Sequence, residues 1–253
     1  MVSLRPPLDA PGNRAEVKDH RSLRLAAATP LLGLLVFSAL AFSTARAADS
    51  PPLLTHWLAA QTNLQTWSAD VTQTRTLKTL TQPLVARGRL WFAAPNLFRW
   101  ELGEPAQTIA VRQPGQMLVL YPRLKRAERY PLDPGATGPL RDLLTLIEAG
   151  FPRTQAELEA RFKVLAVKEA GGVGELRLQP KSPTARKMMP ELKIEFRVKD
   201  SQPRATELQF ADGSTMRNEF TNAVLNAPLA DALFQPAVPE DFKVTEPMRG
   251  GTK

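Results

Sequence analysis

Apolar and polar residues alternate through most of the chain from Ser68 onwards, and this two-residue period predicts a β protein. In the segment ELKIEFRV, which begins at Glu191, every second residue is apolar and the four residues that alternate with them are all charged, as on a strand with one dry and one wet face. Eleven such strands, spaced about ten residues apart, favour an antiparallel sheet or barrel over βαβ units. The predicted strands are Ser68–Thr76, Leu84–Ala93, Leu97–Leu102, Thr108–Arg112, Met117–Tyr121, Arg126–Leu132, Phe162–Lys168, Gly174–Pro180, Glu191–Lys199, Ala205–Phe210 and Thr215–Thr221.

Helical periodicity is confined to a few segments. Leu54, Trp57 and Leu58 begin an apolar stripe on one amphipathic helix, and Thr154 with Glu157 forms a capping box that opens another. The predicted helices are Pro51–Asn63, Gly138–Gly150, Thr154–Ala160 and a turn near Leu229–Phe234. A sheet of this size curls and must have its concave face covered. We therefore expect a mainly β fold with α, in which the insertion at about 138–161 helps to cover the sheet.

The composition excludes most kinds of catalysis. The chain has no cysteine, so thiolate chemistry and disulfides are ruled out, and its two histidines leave almost nothing from which to build a multi-histidine metal site. It contains no Gly-x-Ser-x-Gly, phosphate-binding loop or His-Glu-x-x-His sequence. Glu191 and Glu195 could act as an acid–base pair, but the alternation places both on the polar face beside Lys193 and Arg197. We predict a surface with salt bridges there, a protein that is not an enzyme, and no cofactor or metal.

The N-terminal segment has the pattern of an export signal. Lys18, Arg21 and Arg24 precede an uncharged run, residues 25–45, which ends in the small-x-small sequence Ala45-Arg46-Ala47. This is the pattern of a Sec signal peptide. An uncleaved membrane anchor is the alternative, because the run is nearly long enough to span a bilayer. The pattern favours a signal peptide over residues 1–47, cleaved near Ala47, and a single exported domain over residues 48–253.

The positive charge of the chain is spread out. The formal net charge is +8, yet no block of five like charges occurs. Nucleic-acid binding is therefore not expected, and a solvated surface explains the charge.

Aromatic and aliphatic residues in neighbouring strands and helices are the candidate functional residues. They either form an ordinary core or line a cavity between the sheet and its helical cover. Tryptophans and methionines at such a seam suit adaptable apolar binding. The candidate lining residues are Leu58, Trp91, Phe98, Trp100, Met117, Leu140, Leu144 and Ile147.

The segment that runs from Ala86 to Leu132 resembles the periplasmic outer-membrane lipoprotein carrier family, LolA. That family shows a Gly-x-Leu-Trp strand, then Pro-Asn-x-Phe-x-Trp, then a polar turn with proline and an apolar strand that ends in Tyr-x-Pro. The matching residues here are Gly88, Leu90, Trp91, Pro95, Asn96, Phe98, Trp100, Pro105, Tyr121 and Pro122. The segment around Gln73 and the segment from Leu233 to Val244 are similar to further parts of the family pattern.

The resemblance implies an open antiparallel barrel of about eleven strands with a helical lid over an apolar cavity. It implies a monomeric carrier in the periplasm of a Gram-negative bacterium. Such a carrier takes acylated lipoproteins, or another lipid, from an inner-membrane ABC-type complex to an outer-membrane receptor, without a cofactor. A sensor or scaffold domain of the same fold, which binds a protein partner without transport, is the alternative.

One position departs from the family pattern. The family often has a basic residue before the Pro-Asn pair, where it bonds the lid, and this chain has Ala94. Arg99 lies nearby, but the alternation directs it away from Phe98 and Trp100. The resemblance leaves Arg87 or Arg89 as the candidates to close the lid, or a cargo other than lipoproteins.

Overall fold

A single twelve-stranded sheet is the main feature of the computed structural model, which describes residues 52–132 and 152–247. The strands are β1 (Thr66–Thr76), β2 (Leu84–Ala93), β3 (Leu97–Leu102), β4 (Thr108–Gln113), β5 (Gln116–Tyr121), β6 (Arg126–Pro131), β7 (Phe162–Ala170), β8 (Val173–Pro180), β9 (Glu191–Arg197), β10 (Pro203–Gln209), β11 (Thr215–Leu225) and β12 (Lys243–Thr245). Their order is β12-β6-β5-β4-β3-β2-β1-β11-β10-β9-β8-β7. Because β12 and β7 lie at free edges, the sheet is open. The prediction of a mainly β fold built on an open antiparallel sheet is confirmed.

The strand assignments agree with the alternation pattern except at the C-terminal end. All eleven predicted strands are present, with bounds that differ by at most four residues. β12 was not predicted, because its three residues are too few to show a period. It pairs with β6 in parallel, whereas the other neighbouring strands pair antiparallel.

The helices are short. They are α1 (Pro52–Thr62), α2 (Gln155–Arg161), α3 (Pro183–Met188) and two 3₁₀ helices at Pro122–Leu124 and Asp231–Phe234. α2 begins at the predicted cap, where the Thr154 hydroxyl accepts a hydrogen bond from the Glu157 backbone N–H at 3.1 Å. α3 was missed, although Ser182 caps it in the same way and Pro183 begins it. No helix in the described ranges is long and apolar enough to cross a membrane.

One predicted helix cannot be compared. Gly138–Gly150, with the candidate residues Leu140, Leu144 and Ile147, lies outside the described residues.

Among the described residues, the largest core cluster lies between α1 and the inner face of β7–β10. Leu54, Trp57 and Leu58 of α1 are buried there, and the Trp57 and Phe196 ring centroids are 5.6 Å apart. Fully burying each of these side chains stabilises the fold by about 1.5–3 kcal/mol. The predicted stripe of α1 is therefore the face that packs on the sheet, and His56 is exposed as expected.

The C-terminal segment covers the outer face of β4–β6. Val238 and Phe242 pack against Leu118, Leu120 and Ala127. Because those strands are covered on both faces, Leu118 and Leu120 are as deeply buried as their inward-facing neighbours Met117 and Val119.

Candidate functional site

A cavity of about 230 Å³ lies on the inner face of the sheet. Met117 of β5 and Leu192 of β9 both line it, although six strands separate β5 from β9. In a flat sheet these strands would be roughly 34 Å apart, at about 4.8 Å per strand. The sheet therefore curves around the cavity and brings distant strands face to face.

The wall of the cavity is apolar. Among the described residues that line it, none is charged and only Gln73, Thr108, Thr206 and Asn218 are polar. The apolar lining residues are Trp67, Leu90, Phe98, Trp100, Leu102, Ala110, Met117, Leu192, Ile194, Pro203, Leu208, Met216 and Phe220. A wall of this chemistry removes apolar ligand surface from water and offers few partners to a polar ligand.

Aromatic rings in mutual contact form one side of the wall. Phe220 meets Trp67 edge to face, with ring centroids 5.0 Å apart, and meets Trp100 at 6.4 Å. Phe98 lies 5.7 Å from Trp100. Met117 and Met216 line the cavity as well, and the flexible methionine side chain can adjust to ligands of different shape.

A short polar strip interrupts the apolar wall. Nε2 of Gln73 donates to Oδ1 of Asn218 at 3.0 Å, and Nδ2 of Asn218 donates to Oγ1 of Thr206 at 3.2 Å. Asn218 is only 3% exposed, and burying a polar group is costly unless it is hydrogen-bonded. The three side chains satisfy part of one another's hydrogen-bonding capacity, so the strip can be retained within an apolar surface.

The strand alternation decides which of the predicted residues reach the cavity. Phe98, Trp100 and Met117 line it. Trp91 does not, because successive side chains of a strand point to opposite faces and its neighbour Leu90 faces the cavity. Trp91 lies instead beneath the Arg89 guanidinium, 5.5 Å from the ring centroid.

The other predicted lining residue in the described ranges has a different role. Leu58 lies in the core cluster between α1 and the sheet and does not contribute to the cavity wall.

Sequence reasoning missed the part of the wall that β1 and β9–β11 contribute. Leu192 and Ile194 were recognised as inward-facing, but nothing local indicates that they lie opposite Met117. Trp67 lies one residue before the predicted strand Ser68–Thr76, and Phe220 is the second-last residue of the predicted strand Thr215–Thr221. Their alternation with polar neighbours is the signal that could have placed them on the inner face.

Ionisable side chains gather on the inner face of β5 and β6, beside the apolar cluster of Met117 and Val119. The Tyr130 and Tyr121 hydroxyls donate to Oε2 of Glu128 at 2.7 and 3.2 Å. Burial first, and then the Glu128 carboxylate, raises the pKa of both tyrosines. Both phenols are therefore protonated at neutral pH and act as hydrogen-bond donors.

This cluster does not resemble a catalytic site. Arg126 stacks over the Tyr121 ring at 4.5 Å and lies 3.4 Å from Glu128, so the carboxylate is held by three neighbours. Within the described ranges, no group of three or more histidine or acidic side chains is arranged to hold a metal ion.

The carboxylates of β9 belong to salt bridges on the outer face, as predicted. Two guanidinium nitrogens of Arg177 bond Glu191 at 2.6 and 2.7 Å, and two of Arg217 bond Glu195 at 2.9 Å. These hydrogen bonds lower the pKa of both carboxyl groups. Two arginine-bound carboxylates with lowered pKa values are unsuited to general acid–base catalysis near neutral pH.

The arginines considered near Ala94 lie on the outer face. Arg99 donates to Glu101 at 2.6 Å and to the Leu233 carbonyl at 2.9 Å. Arg89 is 3.5 Å from Asp70 and largely exposed, and Arg87 is exposed. None of the three lines the cavity, and Ala94 packs beside the aromatic cluster.

Three solved structures illustrate what the chain is similar to. An uncharacterised conserved protein from Thermus thermophilus has 10% identity and a TM-score of 0.46, with 77% of this chain and 96% of that chain covered. A LolA superfamily protein from Nitrosomonas europaea has 10% identity and a TM-score of 0.39, with 72% and 95% covered. The MucA/MucB complex of Pseudomonas aeruginosa has 12% identity and a TM-score of 0.41, with 73% and 60% covered. TM-scores this low add nothing to the fold described above.

The family is shown by sequence. No curated protein matches the chain. The model of the family described as "Outer membrane lipoprotein carrier protein LolA" matches residues 62–237, which is more than half of the chain. The match includes all of β1–β11, and with them every strand that lines the cavity. The chain therefore belongs to the LolA family of outer membrane lipoprotein carrier proteins.

Proposed function

We propose that this protein is a periplasmic carrier that shields the acyl chains of lipoproteins, or of a related lipid, between the inner and outer membranes. The observation that carries the proposal is the uncharged cavity between distant strands of the curved sheet. Membership of a carrier family supports the same conclusion.

The lining suits acyl chains. Each methylene group that leaves water contributes about 0.8 kcal/mol to binding, and the phenylalanine, leucine and methionine side chains of the wall carry no hydrogen-bonding groups that a ligand must satisfy. Phe98, Trp100 and Met117 are the contacts predicted from the sequence that lie on this wall. Leu140, Leu144 and Ile147 remain proposed contacts from the insertion.

The route follows from the N-terminal pattern and the family. We propose that residues 1–47 are a signal peptide cleaved near Ala47, and that residues 48–253 act as one monomeric carrier domain in the periplasm. An inner-membrane ABC-type complex would load it and an outer-membrane receptor would unload it. No enzymatic step is required, because transfer between two apolar sites needs only a difference in affinity.

Filling the cavity tests this function. Ala110 lines the wall, so Ala110→Phe places a ring where an acyl chain would lie. If the ring displaces about three methylene groups, the affinity for a fluorescent fatty-acyl probe falls roughly fiftyfold. Ala170→Phe makes the same change at an exposed strand end and leaves the affinity unchanged.

The protein is purified from exporting cells without detergent, and its bound lipids are identified by mass spectrometry. Lipid on the wild type and its loss from Ala110→Phe support the carrier. Equal affinity of Ala110→Phe and Ala170→Phe for the fatty-acyl probe contradicts the carrier function. Absence of lipid together with capture of a protein partner favours the alternative scaffold function.

A further inference from the structure

One rim of the sheet combines exposed aliphatic side chains with basic ones. Three connections, together with the first two residues of β2, form what we term the basic rim, residues 77–85, 181–190 and 210–214. Their positions at one end of the sheet follow from the strand register, because Thr76 of β1 pairs with Thr215 of β11 and Gln209 of β10 pairs with Glu191 of β9.

Contacts join the three connections into a continuous surface. The Ala211 backbone N–H donates to the Met188 carbonyl at 3.0 Å, which links the turn 210–214 to α3. The Lys78 side chain lies directly over Gly213, where a Cβ would come within 2.4 Å of it. The rim is thus one surface rather than three separate turns.

Large apolar side chains on this surface face solvent. The exposed fractions are 44% for Leu80, 49% for Leu84, 61% for Val85 and 47% for Met188. Leu84 and Val85 are successive β2 residues whose side chains leave opposite faces of the sheet, so the exposed aliphatic residues surround this end of the sheet. Such a group at one end indicates an interaction site, whereas the same residues scattered singly would not.

The charge of the rim selects the partner. Its segments contain Lys78, Lys181, Arg186 and Lys187 and a single acidic residue, Asp212. The Asp212 carboxylate already accepts hydrogen bonds from the Ser214 N–H and hydroxyl at 2.8 and 2.6 Å. Aliphatic side chains surrounded by basic ones complement an anionic bilayer surface, where lysines and arginines reach lipid phosphates and apolar side chains enter the interface.

The rim adjoins the cavity. Leu208 and Met216 flank the turn 210–214, and Leu192 follows the segment 181–190; all three line the cavity. We propose that the basic rim docks the protein on the surface of an anionic phospholipid bilayer. Docking would hold the cavity wall beside the membrane. The docking itself depends on the residues of the basic rim and not on what the cavity binds.

Site-specific labelling tests the docking, since the absence of cysteine makes a single introduced thiol unique. An environment-sensitive fluorophore is attached at Leu80→Cys or, as the control, at Val224→Cys, which is 49% exposed near the opposite end of the sheet. The protein is used as exported by cells. Vesicles of phosphatidylcholine with phosphatidylglycerol should shift the emission at position 80 to shorter wavelength and leave position 224 unchanged.

Charge variants complete the test. Arg186→Gln with Lys187→Gln should weaken docking of the labelled protein by about fivefold for each charge, or roughly 25-fold together. Lys168→Gln with Lys199→Gln, on exposed positions elsewhere, should leave it unchanged. The proposal would be overturned by no emission shift at position 80, or by equal shifts at positions 80 and 224. It would also be overturned if both pairs of charge variants weakened docking equally, or if the rim captured a protein partner and did not bind vesicles. Each of these results leaves the fatty-acyl affinity and its loss in Ala110→Phe as a separate test of the cavity.

Discussion

Gln73 and Asn218 face each other across the β1–β11 ladder, with Nε2 of Gln73 3.0 Å from Oδ1 of Asn218, in the wall of an otherwise apolar cavity. Their hydrogen bond joins strands from the two halves of the chain. Asn218 also donates to Thr206 on β10. The strip therefore ties three strands together at the point where the sheet encloses the cavity.

Removing the central member of this strip should destabilise the fold. Asn218→Ala leaves the half-buried amide of Gln73 without its acceptor, which costs about 1 kcal/mol of unfolding free energy. Gln209→Ala, at an exposed position on the neighbouring strand, should cost far less. Urea unfolding measures both. A double variant with Gln73→Ala should cost less than the sum of the single changes, and strict additivity would contradict the coupling.

Gly88 should not tolerate a side chain, because a Cβ at this position would lie 1.8 Å from the Glu101 carbonyl oxygen on β3. This is the glycine of the Gly-x-Leu-Trp pattern, and the contact gives a physical reason for it. Gly88→Ala must separate β2 from β3, so we expect a loss of about 3 kcal/mol or more. Gly115→Ala meets no atom within 4 Å, and its positive φ of 74° costs about 1 kcal/mol. Thermal unfolding measures the stability of both variants. Similar losses of stability in Gly88→Ala and Gly115→Ala would contradict the clash at Gly88.

The Glu195–Arg217 salt bridge should make stability depend on acid pH. The hydrogen bonds from Arg217 lower the pKa of Glu195 in the folded state, below the value of about 4.3 for an unperturbed glutamate. The stabilisation is therefore complete above that unfolded value and is lost as pH falls through the lower folded pKa. Glu195→Gln should cost about 1–2 kcal/mol at neutral pH and cost progressively less as pH falls. The unfolding free energies of the wild type and Glu195→Gln are measured as a function of pH. A difference between them that stays constant down to acid pH would contradict this prediction.

Most of the sheet could be predicted because alternation is a local property. The β9 pattern identified Leu192, Ile194 and Phe196 as inward-facing, and all three are buried. The same alternation distinguishes Trp100, which lines the cavity, from Trp91, which does not. Both tryptophans were predicted to line it from their apolar character, and applying the period from β2 to β3 would have separated them.

The cavity itself could not be predicted with the same certainty, because it depends on curvature. The walls from β5 and β9 face each other across the cavity because of the accumulated twist and bending of the strands between them, which no short segment encodes. β12 was not predicted from the sequence for a related reason. Its three residues pair only because the chain between Phe234 and Phe242 packs across the outer face and ends beside β6.

Photo-crosslinking in living cells tests the central claim, that the inner face binds lipid, most directly. A photoreactive amino acid replaces Trp100 on the cavity wall or, as the matched control, Trp91 on the opposite face of the adjacent strand. Mass spectrometry then identifies the attached molecules. Acylated cargo or lipid at position 100 and none at position 91 is the result we predict. Attachment at position 100 only to other residues of this chain, with no lipid or lipoprotein, would contradict the carrier function.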